Sequence, residues 1–156
     1  MRYGAKHMIR YYGCGLDNVY LRNGYRISKT ESGKETLFIE NVSELHRALA
    51  AWVCDLPRSL TPKEFKFLRV MLGLTQRQLG ELVHVEEQTV STWERDKHPI
   101  SEFGDVALRA LMKERISGGL VFEEFLRHLA KQESDKRWQE EERIEFEATP
   151  QWRHAA

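Results

Sequence analysis

The sequence predicts an α+β protein: a small N-terminal antiparallel β-sheet with one helix, an all-α domain, and a C-terminal helix followed by a short strand. Three observations carry that expectation. Residues 8–41 place β-branched and aromatic residues around turn dipeptides, as strands do. Residues 61–116 switch to helical spacing behind repeated helix-start signals. The tail RIEFEATPQW alternates Ile144, Phe146 and Ala148, which favours a terminal strand over more helix. The resulting division is 1–56, 57–117 and 118–156.

Within the first segment, NVYLRNGYRISKT flanks Asn23-Gly24, the strongest short-range hairpin signal, and Ser32-Gly33 marks a second turn before a third strand ending in Leu37, Phe38 and Ile39. Three short strands need a covering helix. SELHRALAAWVC supplies one, with Ser43 as the expected N-cap and Leu45, Leu49, Trp52 and Val53 at helical spacing. Pro57 in DLPRSL stops that helix and marks the boundary.

The second segment begins with Thr61-Pro62-Lys63-Glu64, a capping box with proline at the first helical position. Leu60 and Phe65 stand where a hydrophobic staple would join. Thr75-Gln76-Arg77-Gln78 is a second box, stapled by Leu74 and Leu79, and Val85 and Val90 staple a third start near Glu86. Gly73 sits where the first of these helices must stop. Helices are therefore expected at about 62–72, 76–83 and 87–95, with a fourth from Ser101 to about Arg115. After Gly118-Gly119 the helical spacing resumes in LVFEEFLRHLAKQ, with Phe122, Phe125, Leu126 and Leu129 on one face. The charged run SDKRWQEEE reads as solvated.

Composition narrows the function classes. With 156 residues, 41% apolar and 31% charged, the chain is long enough for a core and too apolar for wholesale disorder. No apolar run approaches the roughly 18–20 residues of a membrane span, and the N-terminus lacks a secretory signal, so a cytoplasmic location is expected. Cys14 and Cys54 are the only cysteines; with His7 and His46 they show no metal-ligand spacing, so no metal and no cofactor are expected. Asp17, His46 and Cys14 form a triad only on paper, and no phosphate loop, HExxH or nucleophile elbow is present, so no catalytic residue is assigned. The formal net charge of zero argues against a nucleic-acid partner. It is unevenly spread: residues 57–100 carry seven Lys/Arg and six Asp/Glu, whereas 117–148 carry five and nine. A positive face, not a positive total, is what nucleic acid requires.

Only HVE separates the second and third helices of the all-α segment. So short a turn forces a sharp crossing, with Leu79, Leu82, Val85, Val90 and Trp93 expected inside the angle and Gly80 at the closest approach. This is helix-turn-helix geometry. The outside of the third helix is then Glu87, Gln88, Thr89, Ser91 and Thr92. Solvated faces usually carry Lys and Glu. A Gln/Thr/Ser face of poor helix formers instead suits base edges and phosphates, since Gln can pair with adenine and Thr can meet a thymine methyl.

LGLTQRQLGELVHVEEQTVSTWERDKHPI resembles the XRE (Cro/CI, lambda-repressor-like) helix-turn-helix family over residues 61–115, through Gly73, Thr75-Gln76, Leu79, Val85, Thr89-Val90-Ser91, Trp93-Glu94 and Pro99. The resemblance implies a bundle of about five helices binding operator DNA, typically as a homodimer. By position it implies that Gln76, opening the second helix, contacts the backbone and supports base reading; Arg77 beside it is a further candidate DNA contact. Glu87, Gln88, Thr89 and Thr92 match the base-facing positions of the third helix, and Arg95 and Lys97 a phosphate-clasping loop. It also implies a buried Arg69–Glu94 ion pair and a core role for Trp93. Two departures stand out: His84 replaces the usual turn glycine, and Glu86 the usual serine cap. More weakly, YYGCGLDNVYLRNGY ahead of such a domain resembles YgiT/MqsA-type antitoxin-like regulators, without their paired CxxC zinc motifs.

The expectation is a homodimeric, sequence-specific transcriptional regulator, a repressor with its own operon as a candidate target, acting on palindromic double-stranded operator DNA. The competing expectation is an antitoxin-like protein-binding module whose N-terminal half holds a toxin or other partner. Dimerisation would use the helix after Gly119, the terminal strand or the N-terminal segment, on the strength of the unmatched stripe at Phe122, Phe125, Leu126 and Leu129.

Overall fold

A computed structural model describes residues 8–118 and 144–155. In chain order the elements are β1 (Ile9–Arg10), β2 (Val19–Leu21), β3 (Tyr25–Lys29), β4 (Glu35–Ile39), α1 (Val42–Cys54), α2 (Pro62–Met71), α3 (Gln76–Val83), α4 (Glu87–Glu94), α5 (Glu102–Ser117), β5 (Ile144–Thr149) and β6 (Gln151–His154). The architecture is α+β, as the sequence predicts. Compact packing divides the chain inside α1, between Leu49 and Ala50, so that the C-terminal strands fall with the N-terminal residues. The apolar stripe at Phe122, Phe125, Leu126 and Leu129 lies outside the described residues.

The sheet unit holds a four-stranded sheet of order β1-β2-β5-β6 and a separate hairpin, β3-β4. β1 runs antiparallel to β2, β5 runs parallel to β2 with Val19 opposite Ile144 and Leu21 opposite Phe146, and β6 returns antiparallel to β5. Val19, Leu21, Ile144 and Phe146 are buried, as are Leu45 and Leu49 of α1. Tyr11 ties α1 to the end of β1, its hydroxyl 2.8 Å from His46 Nε2.

Asn23-Gly24 is not a hairpin turn. A two-residue type I′ turn needs positive φ at both central residues, and only Gly24 has it, at φ 74°. The Asn23 side chain is engaged elsewhere, accepting the Ala148 N–H of β5 at 2.7 Å. The dipeptide is therefore a corner at which the chain leaves one sheet for the next. Gly24 is required there for space as well as φ, since a Cβ would lie 2.5 Å from the Trp152 ring. The hairpin turn is at Thr30–Lys34, closed by Thr30 N–H to Lys34 O and Gly33 N–H to Thr30 O. The single three-stranded sheet expected from residues 8–41 is thus replaced by two sheets. Parallel pairing with a strand some 120 residues later competes successfully for β2.

α1 also starts earlier than Ser43. Asn41, at φ 49°, offers its carbonyl to Glu44 N–H and Leu45 N–H, and its side-chain amide donates to the Glu44 carboxylate. Trp52, expected on the buried stripe, is half-buried, while Leu45, Leu49 and Val53 are fully so.

In the helical unit, the start signals act as their residue types dictate. Thr61 accepts from Glu64 N–H while Glu64 accepts from Thr61 N–H, and Thr75 and Gln78 repeat the arrangement. Ser101 caps α5 through Gly104 N–H at 3.0 Å. Helices of eight residues are marginal alone; these bury Phe65, Leu68, Leu79, Val83, Val90, Trp93 and Leu108 against one another. Phe65 and Trp93 meet edge to face at 5.6 Å between ring centroids.

The segment 54–60 belongs to this unit. Arg109, 0% exposed, donates to Asp105 and to the carbonyls of Cys54, Leu56 and Arg58, while Asp105 accepts Leu60 N–H at 2.6 Å. Arg58 in turn holds Glu64 in a bidentate pair at 2.7 and 2.8 Å. Pro57 ends α1, but the stretch that follows is pinned to α5 and is no free linker.

Candidate nucleic-acid interface

The site is built on the turn between α3 and α4. Gly80 lies at the closest approach: a Cβ there would stand 2.6 Å from the Val85 carbonyl. Such an overlap with backbone cannot be relieved by a rotamer. The turn reverses at His84, left-handed at φ 57° and ψ 41°, and Val85 N–H closes it on Gly80 O at 2.9 Å. A non-glycine residue pays about 1–2 kcal/mol for that conformation, less for a residue type enriched there, as histidine is. Glu86 then occupies the N-cap position of α4 with no side-chain cap bond. The departures from the usual glycine and serine are therefore accommodated by the backbone without compensation at the cap.

Inside the angle lie Leu79, Gly80, Val83, Val90 and Trp93, with Val85 half-buried. Leu82 does not join them: it is 52% exposed and helps line a shallow groove of about 280 Å³ with Leu72, Leu74 and Leu111. Of the two residues that spacing sets on the face of Leu79, Val83 at i+4 takes the buried place and Leu82 at i+3 stays exposed.

Three helices are locked together beneath this surface. Arg69 of α2 pairs with Glu94 of α4 through two bonds, one of them 3.0 Å, and donates to Leu74 O at 2.7 Å. Gln76 of α3 completes the cluster, its Nε2 donating to Glu94 at 2.8 Å. The Arg69–Glu94 pair implied by the resemblance is present. Gln76, expected at the DNA, is half-buried with its amide N–H committed to Glu94, so it bridges the buried pair to the surface of α3.

The outer side of α4 can now be specified. Helical spacing sets Gln88, Thr92 and Arg95 opposite Val90 and Trp93, with Thr89 and Ser91 flanking. Glu87, Gln88 and Arg95 are exposed; Thr89, Ser91 and Thr92 are half-buried. The Thr92 hydroxyl donates back to Thr89 O at 2.7 Å, so its donor is occupied. Gln88 is the amide best placed for a base edge. α4 ends in a Schellman motif: Asp96 is left-handed at φ 57°, and Lys97 N–H reaches Thr92 O at 2.9 Å. That turn carries Arg95 and Lys97 on one exposed loop, where Lys97 has no ion-pair partner among the described residues. Arg77 is exposed and paired with Glu81 at 3.2 Å.

Charge on this surface is sparse. Arg77, Arg95 and Lys97 are offset by the exposed carboxylates Glu81, Glu86, Glu87 and Asp96 on the same segment. A surface so balanced attracts any duplex weakly, so discrimination has to come from hydrogen bonds and shape.

Elsewhere, Tyr11 and His46 come together, and burial raises the Tyr11 hydroxyl and lowers the His46 imidazole from their ordinary values. Burial raises the Cys14 thiol and pushes Cys54 up to about 12, away from the thiolate a nucleophile needs. Among the described residues no three His, Cys, Asp or Glu side chains gather as metal ligands do. No described helix is long and apolar enough to cross a membrane. The buried Arg109 cluster is the feature that sequence reasoning missed; its only signal is the i, i+4 spacing of Asp105 and Arg109. Comparison with family models, curated proteins and solved structures found no match.

Proposed function

We propose that the protein is a cytoplasmic, sequence-specific DNA-binding regulator of the XRE helix-turn-helix type that reads operator DNA in the major groove with α4. One observation carries the reading: the Gly80–His84 turn sets two eight-residue helices at a fixed crossing with Val90 and Trp93 inside and Gln88, Thr89 and Arg95 outside. A helix presented in this way fits the major groove, and its amide and hydroxyl side chains suit base and phosphate contacts. Gln88 and Thr89 are assigned to bases, Arg95 and Lys97 to phosphates, and Gln76 to supporting the reading helix. Repression and action on its own operon are part of the proposal, as is a homodimer on a palindromic site.

The test is fluorescence-anisotropy binding to the DNA upstream of the protein's own gene beside a scrambled duplex, over a salt series. A preference of about a thousandfold supports a specific regulator. With so few free cations, the salt dependence should correspond to only a few phosphates per protomer. Weak, equal binding to both duplexes contradicts autoregulation by this surface. The exposed apolar side chains of β3 and β4 favour a protein-binding role beside DNA recognition.

A further inference from the structure

The hairpin β3-β4 sets three large apolar side chains in solvent. Ile27, Leu37 and Phe38 are 52%, 42% and 54% exposed, and an isolated two-stranded hairpin is marginal in water. Its hydrogen-bond phase is set at both ends by Thr30 N–H to Lys34 O and Glu40 N–H to Gly24 O. Even-numbered residues of β4 therefore direct their backbone groups at β3. Glu35, Leu37 and Ile39 direct theirs at the open edge, with which no described strand pairs. Natural edges are usually blunted by Lys, Pro or a bulge; ETLFI has neither residue, and its register with β3 runs unbroken. The opposite edge, YRISK, does carry Arg26 and Lys29.

We propose that the open edge of β4 pairs with β4 of a second copy of this chain, antiparallel about a two-fold axis at Leu37, to make a continuous four-stranded sheet. The hydrogen-bond phase permits this centre, because Leu37 meets the partner's Leu37 with both sets of backbone groups turned toward the contact. Charge complementarity selects it. Lys34 then stands opposite the partner's Glu40, and the two-fold axis repeats the pair. Lys34 has no ion-pair partner among the described residues, and Glu40 is 3.9 Å from Arg26, at the outer limit of an ion pair. Shifting the register by two residues either way unpairs both. Ile27 and Leu37, cross-strand neighbours on one face, would continue into the partner's Leu37 and Ile27 as one apolar row. Self-pairing also closes after two copies, whereas β3-to-β4 pairing would propagate.

This interface does not depend on the DNA-binding reading, and either can fail alone. The test uses the full chain. Leu37→Cys places two thiols at a hydrogen-bonded cross-strand pair, about 5.5 Å between Cα atoms and within disulfide range. Ile27→Cys, three strands apart across the axis, places them about 14 Å apart. Under mild oxidation the first variant should give a disulfide-linked dimer, and the second and the native chain should not. In sedimentation velocity Lys34→Glu should weaken dimerisation about tenfold, and Lys34→Glu with Glu40→Lys should restore it. A monomer at all concentrations up to about 100 µM overturns the proposal. So does a dimer in which the two cysteine variants crosslink alike or the charge swap fails to rescue; with sequence-specific DNA binding intact, that would place the interface elsewhere.

Discussion

The helical and sheet units are held together by different chemistry. In the helical unit, Arg69, Glu64, Asp105 and Arg109 are buried, and no described buried side-chain polar atom lacks a partner. In the sheet unit the ion pairs Arg22–Glu145, Lys29–Glu35 and Arg153–Glu147 lie at the surface over an apolar core. The difference follows from what each unit needs specified. A strand ladder sets its register through the backbone and alternating side chains. Two eight-residue helices packed by a few apolar side chains could slide or rotate. A buried guanidinium with fixed acceptors penalises each displacement, because a charge left unpaired inside is costly.

The sharpest way to break that comparison is Arg109→Ala. It removes the guanidinium that pairs Asp105 and bonds three backbone carbonyls, and should destabilise the helical unit by about 3–5 kcal/mol, measured by urea unfolding. A loss below about 1 kcal/mol would show that the cluster is ornamental. Glu86→Ser tests the one described helix start in this unit known to lack a side-chain cap. It should add about 1 kcal/mol of stability and tighten binding to every duplex, by removing a carboxylate from the proposed phosphate-facing side. Arg22→Ala should cost less than about 1 kcal/mol, since Arg22 is 45% exposed.

The smallest effect is in the pH dependence of the sheet unit. Burial holds His46 below its ordinary value near 6.5, so the unfolded chain binds the proton more readily than the folded one. Stability then rises with pH, is complete above about 6.5, and falls as pH drops through that value toward the lower folded one. His46→Gln should flatten that part of the urea midpoint against pH; an unchanged slope would assign it to another group.

The same contrast explains what could be read from the sequence. Thr61, Thr75 and Ser101 mark helix starts correctly because a cap is a local bargain among four residues. The turn at His84 and the close approach at Gly80 were legible for the same reason. The β2–β5 pairing was not, because parallel partners separated by most of the chain share no local signal. Asn23-Gly24 misled because the Asn23 side chain serves Ala148, across that same distance. Leu82 looked internal because helical spacing sets both it and Val83 on the face of Leu79; only packing decides that Val83 takes the buried place. At the proposed interface the residue types were legible, but not the commitment of Gln76 to Glu94 or of the Thr92 hydroxyl to its own helix.

The central claim, that α4 reads sequence while its C-terminal loop grips the backbone, is tested most directly by Gln88→Ala beside Lys97→Ala, each titrated against the operator and base-substituted operators. The account predicts that Gln88→Ala loses about 1–3 kcal/mol of discrimination at one base pair, and that Lys97→Ala weakens all duplexes alike. Unchanged discrimination in Gln88→Ala, or altered sequence preference in Lys97→Ala, would contradict it.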